Sequence, residues 1–561
     1  MKSNSDNHRQ IIIDMCMEAY LEPCIPTYSG GLGVLEGDIL KSYADLRIPA
    51  VGIIQSSTAG YFGQAIDGSG WQREAPVYWD PKSTLGAIDE KVVIKNRGRN
   101  LYVGASPYVI TGETGFKINT FLLDTDLEEN HEDDREITGR LYDGNPEQRI
   151  AQENVLGQAG VKLVRKLYGD KIIFHANEGH AAFASLELLR EGKSIEDIKR
   201  AFAFTTHTPV AAGHDRWNYD QVANILGDFL PENIREFAGQ NELNMTQLAL
   251  SFSSYVNAVS RKHAEVCREM DVFKGRKIDY ITNGVHPKTW ASESFRELFH
   301  NHFPHWTLEP RVLSDAKHIF PEEILEAKNQ AKRHLIGYIN TSYPVKFRQD
   351  ALTLVWARRF TSYKRPDLLI RDIDRLYKIS EKCPLQIIYS GKAHPSDEEG
   401  KKLIQKVVNF SRDNNKSNLK AVFLEDYNAY MAKLLMGGAD VWVNTPRRPQ
   451  EASGTSGMKA ALNGCLNLST YDGWVAEGYE MAPDAIWLVG PEKEQTIINP
   501  DWQQEDAVDS KILYENLEQI AGLYPDKEEW AKRMGSSIGL LAYFNTHRVV
   551  KELASKLGIG I

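Results

Sequence analysis

Residues 352–390 read LTLVWARRFTSYKRPDLLIRDIDRLYKISEKCPLQIIYS, and the architecture follows from this segment. Two continuous apolar runs, 352–357 and 385–390, enclose a segment with apolar residues at three- and four-residue spacing. The runs predict strands buried on both faces, and the spacing predicts a helix between them. A strand, a helix and a second strand in this order form the repeating unit of a parallel sheet.

Other apolar runs repeat this alternation, regularly in the C-terminal half and less regularly in the N-terminal half. They lie at 421–424, 441–444, 466–469, 171–176, 201–206 and 278–282. Because 561 residues exceed the size of a single core, we predict an α/β protein with two doubly wound, Rossmann-like domains, 1–283 and 284–561. Loops at the carboxyl ends of both sheets would face a central cleft, where such folds usually bind ligands.

Composition excludes several functions. Lys and Arg total 66 against 76 Asp and Glu, and this net charge of −10 argues against a nucleic-acid or membrane-surface binder. The five cysteines are scattered, which predicts free thiols in a reducing compartment. The sequence contains neither a signal-peptide core nor an apolar run of roughly 20 residues, so we expect a cytoplasmic protein. Residues 2–10 predict a loose tail, and the acidic residues 128–134 predict a solvated loop.

The segment 358–365, RRFTSYKR, places four cations at the carboxyl end of a predicted strand. Such a cluster suits a phosphate site, with Arg as a bidentate donor and Lys as a point charge. The alternative is a solvated basic loop, which is the usual interpretation of a run of charges. Because the segment directly follows a buried strand, both interpretations remain open.

The segment 451–464, EASGTSGMKAALNG, joins a Gly/Ser/Thr loop to a helix that carries Lys459 in its first turns. Loop donors could bind a phosphate while a desolvated lysine forms an imine with an aldehyde cofactor. The alternative is a capped helix with a surface lysine, because Ser and Thr are common N-caps.

Four further turns contain residues that are typical of ligand sites. The glycines of 29–33, SGGLG, precede a helix and could present N–H groups to an anion, although a tight turn that needs positive φ explains them as well. NEGH (177–180), THTP (206–209) and TNGV (282–285) each follow a predicted strand and suit sugar hydroxyls. Structural hydrogen bonding is the alternative for each of them. The sequence contains no metal-binding signature.

Together these segments resemble the glycogen and maltodextrin phosphorylase family. YSGGLG, NEGH, THTP, ITNGV, RRFTSYKRP, SGKAHP, LEDY and EASGTSGMKAALNG occur in the family's order, from about residue 17 to about residue 480. The resemblance implies a glycosyltransferase-B fold, with glucan binding in 1–283 and pyridoxal 5'-phosphate binding in 284–561. It also implies a homodimer that cleaves terminal α-1,4-linked glucose with inorganic phosphate, giving α-D-glucose 1-phosphate with retention.

The resemblance also assigns residues to roles. Lys459 would form the imine with the cofactor, whose phosphate, not its aldehyde, relays a proton in this family. The residues implied near the cofactor are Thr455, Tyr427, Arg358 and Gly31. Those implied for inorganic phosphate are Arg359, Lys364 and the backbone of Gly31. Those implied for glucose or glucan are His207, Asn283, Glu451, Ser453, Gly454 and Glu178. The expected catalytic set is Lys459, Arg359, Lys364, His207 and Glu451.

Three departures from the family pattern qualify these expectations. Long members have Lys where Arg358 stands, and they have Arg where Asn428 follows LEDY, so one cofactor cation is missing. Arg447 or Arg448 could replace that cation. The chain begins close to YSGGLG, so we expect a short form without the N-terminal extension and without its control by AMP or phosphorylation.

Two alternatives stand beside the phosphorylase. A nucleotide-sugar glycosyltransferase resembling glycogen synthase would share the fold but would need no cofactor lysine, so GTSGMK distinguishes it. An inactive glucan-binding homologue is conceivable because of Asn428. The joint presence of Lys459, Arg359, Lys364 and Glu451 argues against the inactive homologue.

Overall fold

A computed structural model of the chain describes residues 10–415, 418–491 and 501–560, so residues 2–9 of the predicted tail 2–10 lie outside the described residues. The described residues form two compact units, and the α/β class that the sequence predicted is confirmed. The first takes in the described parts of Met1–Phe62, Pro76–Thr282 and Thr546–Ile561, and the second those of Gly63–Ala75 and Asn283–Asn545. Among the described residues, no helix has the length and apolar composition needed to cross a bilayer.

The strands are numbered in chain order. They are β1 (Ile11–Met15), β2 (Ala50–Gln55), β3 (Gly63–Ile66), β4 (Gln72–Ala75), β5 (Val92–Asn96), β6 (Arg99–Thr111), β7 (Lys117–Asp124), β8 (Ile172–Asn177), β9 (Phe202–Thr205), β10 (Arg216–Trp217), β11 (Leu243–Asn244), β12 (Tyr255–Ala258), β13 (Asp279–Tyr280), β14 (Leu352–Ala357), β15 (Leu385–Ser390), β16 (Leu419–Leu424), β17 (Val441–Asn444), β18 (Leu466–Thr470) and β19 (Ile486–Val489).

The α-helices are numbered in the same way. They are α1 (Gly31–Asp45), α2 (Pro81–Leu85), α3 (Glu132–Arg135), α4 (Pro146–Asn154), α5 (Gly160–Tyr168), α6 (Phe183–Arg190), α7 (Ile195–Ala201), α8 (Tyr219–Leu226), α9 (Ile234–Ala238), α10 (Met245–Phe252), α11 (Arg261–Glu269), α12 (Pro287–Trp290), α13 (Glu293–His302), α14 (Pro321–Ser342), α15 (Ile373–Lys382), α16 (Glu398–Asp413), α17 (Ala429–Gly438), α18 (Ser456–Ala461), α19 (Val475–Met481), α20 (Trp502–Leu523), α21 (Lys527–Gly539) and α22 (Thr546–Lys556).

The second unit contains a six-stranded sheet in the order β16-β15-β14-β17-β18-β19. All of its strand pairs are parallel. Counted along this sheet's own chain order, the strands run third, second, first, fourth, fifth, sixth, which is the doubly wound order. The direction of winding reverses between β14 and β17, and ligands of such folds bind where the strands end at this switch point.

The first unit contains a nine-stranded sheet in the order β13-β12-β9-β8-β1-β2-β7-β6-β5. It is parallel from β13 to β7, but β6 and β5 add an antiparallel edge that the sequence did not predict. Along β5, buried and exposed residues alternate, which is typical of a strand with one face in water. Arg97 and Gly98 connect β5 to β6, and both have positive φ (49° and 71°), as a two-residue hairpin turn requires.

Two other features of the first unit are not apparent from the sequence. The C-terminal helix α22 packs on α1, where Ser42 Oγ and Thr546 Oγ1 lie 2.7 Å apart. The acidic stretch 128–134 is exposed at five of its seven residues, but it is not a loop throughout, because α3 begins at Glu132. Asp134 is 1% exposed, and ion pairs with Arg97 and Arg99 offset the cost of burying its charge.

Candidate active site

The basic segment lies at the switch point of the second sheet. All six residues of β14 are buried, and Arg358 and Arg359 follow it directly. The chain that leaves β17 runs through the Gly/Ser/Thr loop into α18, which carries Lys459. The two segments that the sequence predicted to handle phosphate and cofactor therefore leave the sheet at neighbouring strands.

Arg358 contacts both of these segments. Its Nη2 donates to Ser456 Oγ at 3.2 Å and to the Val443 carbonyl at 3.4 Å, while its Nε is buried without a hydrogen-bond partner among the described residues. Burial lowers the pKa of Arg358, and the charges of Glu451 and Tyr427 oppose that shift. A partly buried guanidinium with an unused N–H is suited to bind an anion.

Lys364 and Glu451 form an ion pair in which the side chains are 10% and 11% exposed. Burial alone would raise the pKa of Glu451, but Lys364 and Arg358 outweigh it and hold the pKa below its ordinary value. Arg359 acts on Glu451 in the same direction. Glu451 is therefore a charged carboxylate among three cations.

Lys459 is 5% exposed, and its Nζ lies 4.0 Å from the centroid of the Trp290 indole ring. Asn463 joins the two by donating its Nδ2 to the Trp290 carbonyl at 2.9 Å and to the Lys459 carbonyl at 2.8 Å. The Lys433 Nζ lies 5.8 Å from the same indole centroid. Lys459 is therefore a desolvated lysine held against an aromatic wall, which differs from the surface lysine of the alternative interpretation.

The loop before Lys459 offers polar groups without partners in the described structure. Gly454 has φ of +72°, a conformation that favours glycine. Ser453 is 4% exposed and its Oγ has no hydrogen-bond partner among the described residues. Thr455 is the N-cap of α18 but makes no side-chain cap bond. Asp472 anchors the start of the loop by accepting from the Glu451 N–H at 2.8 Å.

Asn428 and the two arginines proposed to compensate for it have structural partners. Asn428 caps α17, because its Oδ1 accepts from the backbone N–H three residues on at 3.0 Å. Arg447 and Arg448 form ion pairs with carboxylates of α20, namely Glu505, Asp506 and Asp509. Since these carboxylates hold both guanidinium groups, the geometry argues against either arginine replacing the missing cation.

In the first unit, Glu178 follows β8 with φ of 77° and ψ of 165°, a strained conformation for a residue with a side chain. Its carboxylate accepts hydrogen bonds from the His207 N–H at 2.7 Å, the Thr208 hydroxyl at 3.0 Å and the Gly179 N–H at 3.1 Å. Burial raises the pKa of Glu178 to about 7 despite these three bonds. Glu178 thus joins the NEGH and THTP turns.

His207 is partly buried, and burial lowers its pKa to about 3, so the imidazole is neutral at physiological pH. Its Nε2 lies 2.6 Å from Asn177 Oδ1. The structure therefore brings two predicted glucan-site residues, Glu178 and His207, into direct contact. Asn283, which the sequence grouped with them, is 6% exposed and belongs to the second unit.

The glycine loop 29–33 is held by hydrogen bonds to Glu18, and its glycines do not adopt positive φ. The Glu18 carboxylate accepts from the Ser29 N–H at 2.6 Å and the Gly30 N–H at 3.4 Å. A Cβ on Gly33 would lie 2.7 Å from Glu18 Oε2, and none of the loop's glycines has positive φ. The tight-turn interpretation is therefore wrong, since close approach explains Gly33. Gly31 is exposed at the first position of α1.

Sequence reasoning missed three residues of these sites. Ser456 lies inside EASGTSGMKAALNG, and Asn177 begins the NEGH turn, but the sequence did not indicate a role for either residue. Trp290 follows the TNGV turn, and only a large aromatic residue within the polar stretch 286–290 could have pointed to it.

Comparison with known proteins gives a consistent result. A model of the family described as carbohydrate phosphorylase matches residues 231–510. Maltodextrin phosphorylase of Thermococcus litoralis is 36% identical over 99% of this chain and 71% of its own length. Glycogen phosphorylase of Aquifex aeolicus is 33% identical over 98% of this chain and 86% of its own length. An uncharacterized protein of Methanocaldococcus jannaschii is 32% identical over 97% and 98%, respectively.

Proposed function

The chain belongs to the carbohydrate phosphorylase family and is a phosphorylase, and we propose that it transfers terminal α-1,4-linked glucose from a glucan to inorganic phosphate. The product is α-D-glucose 1-phosphate, formed with retention. The observation that carries this proposal is the cation cluster of Arg358, Arg359 and Lys364 at the switch point of an acidic protein. The names of the relatives support a glucan of the maltodextrin or glycogen type as the donor, and the nucleotide-sugar alternative has no support among them.

The charges around Glu451 fit a phosphate substrate. Lys364, Arg358 and Arg359 carry three positive charges against the single carboxylate, and two of these cations, Lys364 and Arg359, remain for the substrate once Arg358 is assigned to the cofactor. A phosphate group near neutral pH carries a charge of about −1.5 to −2. We assign Arg359, Lys364 and the Gly31 N–H to inorganic phosphate, which Arg359 can bind in a bidentate way.

The residues around Lys459 fit pyridoxal 5'-phosphate, the cofactor that we propose. The buried Lys459 amine suits the aldehyde, and the Arg358 Nε, which has no partner in the described structure, suits the phosphate. Thr455 and Tyr427 would hold the ring or the phosphate. When bound, this cofactor would supply a phosphate group that donates and accepts a proton. Trp290 would exclude water from Lys459.

Neutral polar groups suit the glucose. The His207 imidazole and the Asn283 amide can hydrogen-bond to sugar hydroxyls without adding charge. We also assign to glucose three residues of the loop that precedes Lys459, namely Glu451, Ser453 and Gly454. Glu178 holds the His207 turn on the glucan side. Cleavage of a glucosidic bond needs negative charge beside an oxocarbenium-like centre. Phosphate held by Arg359 and Lys364 would supply that charge in place of a carboxylate nucleophile.

The decisive experiment incubates the purified holoenzyme with maltodextrin and phosphate and identifies the products by NMR. We expect α-D-glucose 1-phosphate. Free glucose would indicate a hydrolase, the β-anomer would indicate inversion, and turnover only with a nucleotide sugar would indicate the synthase alternative. The inactive homologue would form no product although it binds the glucan.

A further inference from the structure

We infer that Asn177 is a positioning residue for His207. It holds the imidazole in the tautomer that carries its proton on Nε2, and it thereby leaves Nδ1 to accept a hydrogen bond from a glucose hydroxyl. The inference rests on the proposed function, because that function places His207 at the terminal glucose. The tautomer itself follows from a chain of buried hydrogen bonds within the first unit.

The chain of hydrogen bonds starts at a backbone carbonyl, which can only accept. Asn257 Nδ2 donates to the Ala258 carbonyl at 3.1 Å, so Asn257 Oδ1 is the atom that faces Thr205 Oγ1, at 2.8 Å. The Thr205 hydroxyl therefore donates its only proton to Asn257. Its oxygen must then accept from His175 Nε2, which lies 2.7 Å away. His175 consequently carries a proton on Nε2.

The next contact fixes the role of Asp14. His175 Nδ1 lies 3.0 Å from Asp14 Oδ1, and a single proton occupies this bond, whichever of the two atoms holds it. Asp14 Oδ1 can accept a second hydrogen bond, but it has no proton left to donate to another group. Asp14 is 0% exposed and His175 is 2% exposed, so solvent does not interfere with this arrangement.

Asp14 in turn orients Asn177. One end of the Asn177 amide lies 2.5 Å from Glu36 Oε2 and 3.4 Å from Asp14 Oδ1, and the other end lies 2.6 Å from His207 Nε2. Since Asp14 Oδ1 only accepts here, the end that faces it must be the NH2 group. A flipped amide would instead place its oxygen 3.4 Å from Asp14 Oδ1, an acceptor, at a site that is 1% exposed.

The amide oxygen of Asn177 therefore faces His207 and requires a proton on Nε2. A neutral imidazole with its proton on Nε2 has its lone pair on Nδ1. Among the described residues, Nδ1 of His207 has no hydrogen-bond partner. The ring thus presents an acceptor, and a sugar hydroxyl is the matching donor.

A double-mutant cycle on the holoenzyme tests this inference, with D-glucose as the probe and its dissociation constant measured by calorimetry. Loss of one neutral hydrogen bond predicts that Asn177→Ala weakens glucose binding roughly 3- to 10-fold. In a His207→Ala background, the same substitution should have no further effect, because it acts through His207. Asn119→Ala, which removes a hydrogen bond to Tyr168 in the same unit, is the matched control.

Equal weakening by Asn177→Ala in both backgrounds would show a structural role only and would overturn the inference. A direct readout uses 15N-histidine-labelled protein, in which NMR should show His207 protonated on Nε2 and a tautomer mixture in Asn177→Ala. Protonation on Nδ1 in the unsubstituted protein would also overturn it. If His207→Ala leaves glucose binding unchanged, the proposed role of His207 fails, whereas the NMR spectra still decide the tautomer separately.

Discussion

At the scale of single residues, Lys459 and Lys433 both lie near the Trp290 indole ring, but only Lys459 lies on the helix that follows the Gly/Ser/Thr loop. We predict that borohydride reduction of the holoenzyme, digestion and mass spectrometry find a pyridoxyl phosphate adduct on Lys459. The burial of this amine against Trp290 provides the desolvation that such a link requires. Lys433 is the internal control, since its Nζ lies 5.8 Å from the same indole centroid. An adduct on Lys433 instead would contradict the assignment.

A second prediction at the scale of single residues concerns Arg359, which we assign to the binding of inorganic phosphate. Arg359→Ala should lower kcat/KM for phosphate roughly 10- to 150-fold, because a hydrogen bond to a charged group contributes about 1.5–3 kcal/mol. The KM for glucan should change little. Arg311→Ala, in a side chain that is 83% exposed, is the matched control for loss of one positive charge. Equal kinetics for the two variants would identify 358–365 as the solvated loop of the alternative interpretation.

At the scale of elements, the departure at Asn428 is explained by helix capping. Asn428→Ala should lower the free energy of unfolding by about 1 kcal/mol, because α17 loses its side-chain N-cap. Urea denaturation measures this change. Cofactor affinity, followed by absorbance during titration with pyridoxal phosphate, should stay the same. Asn418→Ala, at the start of β16, offers a comparison without a cap, and a fall in cofactor affinity for Asn428→Ala alone would show that Asn428 contacts the cofactor.

At the scale of the whole molecule, buried neutral histidines predict a loss of stability in acid. Burial lowers the pKa of His263 to about 4, whereas the unfolded value is about 6.5. The unfolded chain binds the extra proton first, so this contribution to stability is complete above pH 6.5 and is lost as the pH falls towards 4. Between pH 7 and pH 5 the loss amounts to roughly 2 kcal/mol.

The measurement compares urea denaturation of the unsubstituted protein and His263→Gln at pH 7 and pH 5. The variant should lose less stability on acidification. Glu178 acts in the opposite sense, since its raised pKa of about 7 stabilises the folded chain at low pH, and Glu178→Gln therefore serves as the control of opposite sign. An identical pH dependence in His263→Gln and the unsubstituted protein would contradict the prediction.

Local patterns were sufficient for five of the six strands of the second sheet, β14 to β18, whereas β19 was not predicted. Continuous apolar runs mark buried parallel strands, and cations or glycines directly after such a run mark its carboxyl end, because both signals depend only on neighbours in the chain. The basic segment 358–365 was predicted in this way, and the loop before Lys459 was predicted from its Gly, Ser and Thr residues ahead of a helix. The family resemblance added the roles of these residues.

Other features of the fold and of the site could be seen only in the tertiary structure, because they depend on contacts between residues that are distant in the chain. The pairing of α22 with α1, the antiparallel edge formed by β5 and β6, and the ion pairs of Arg447 and Arg448 with α20 have no local signal. The tautomer of His207 is the clearest case. This tautomer depends on the Ala258 carbonyl, which lies 51 positions from His207 in the sequence. A proton's position in a buried network is set by the one group that can only accept, and folding alone brings that group within reach.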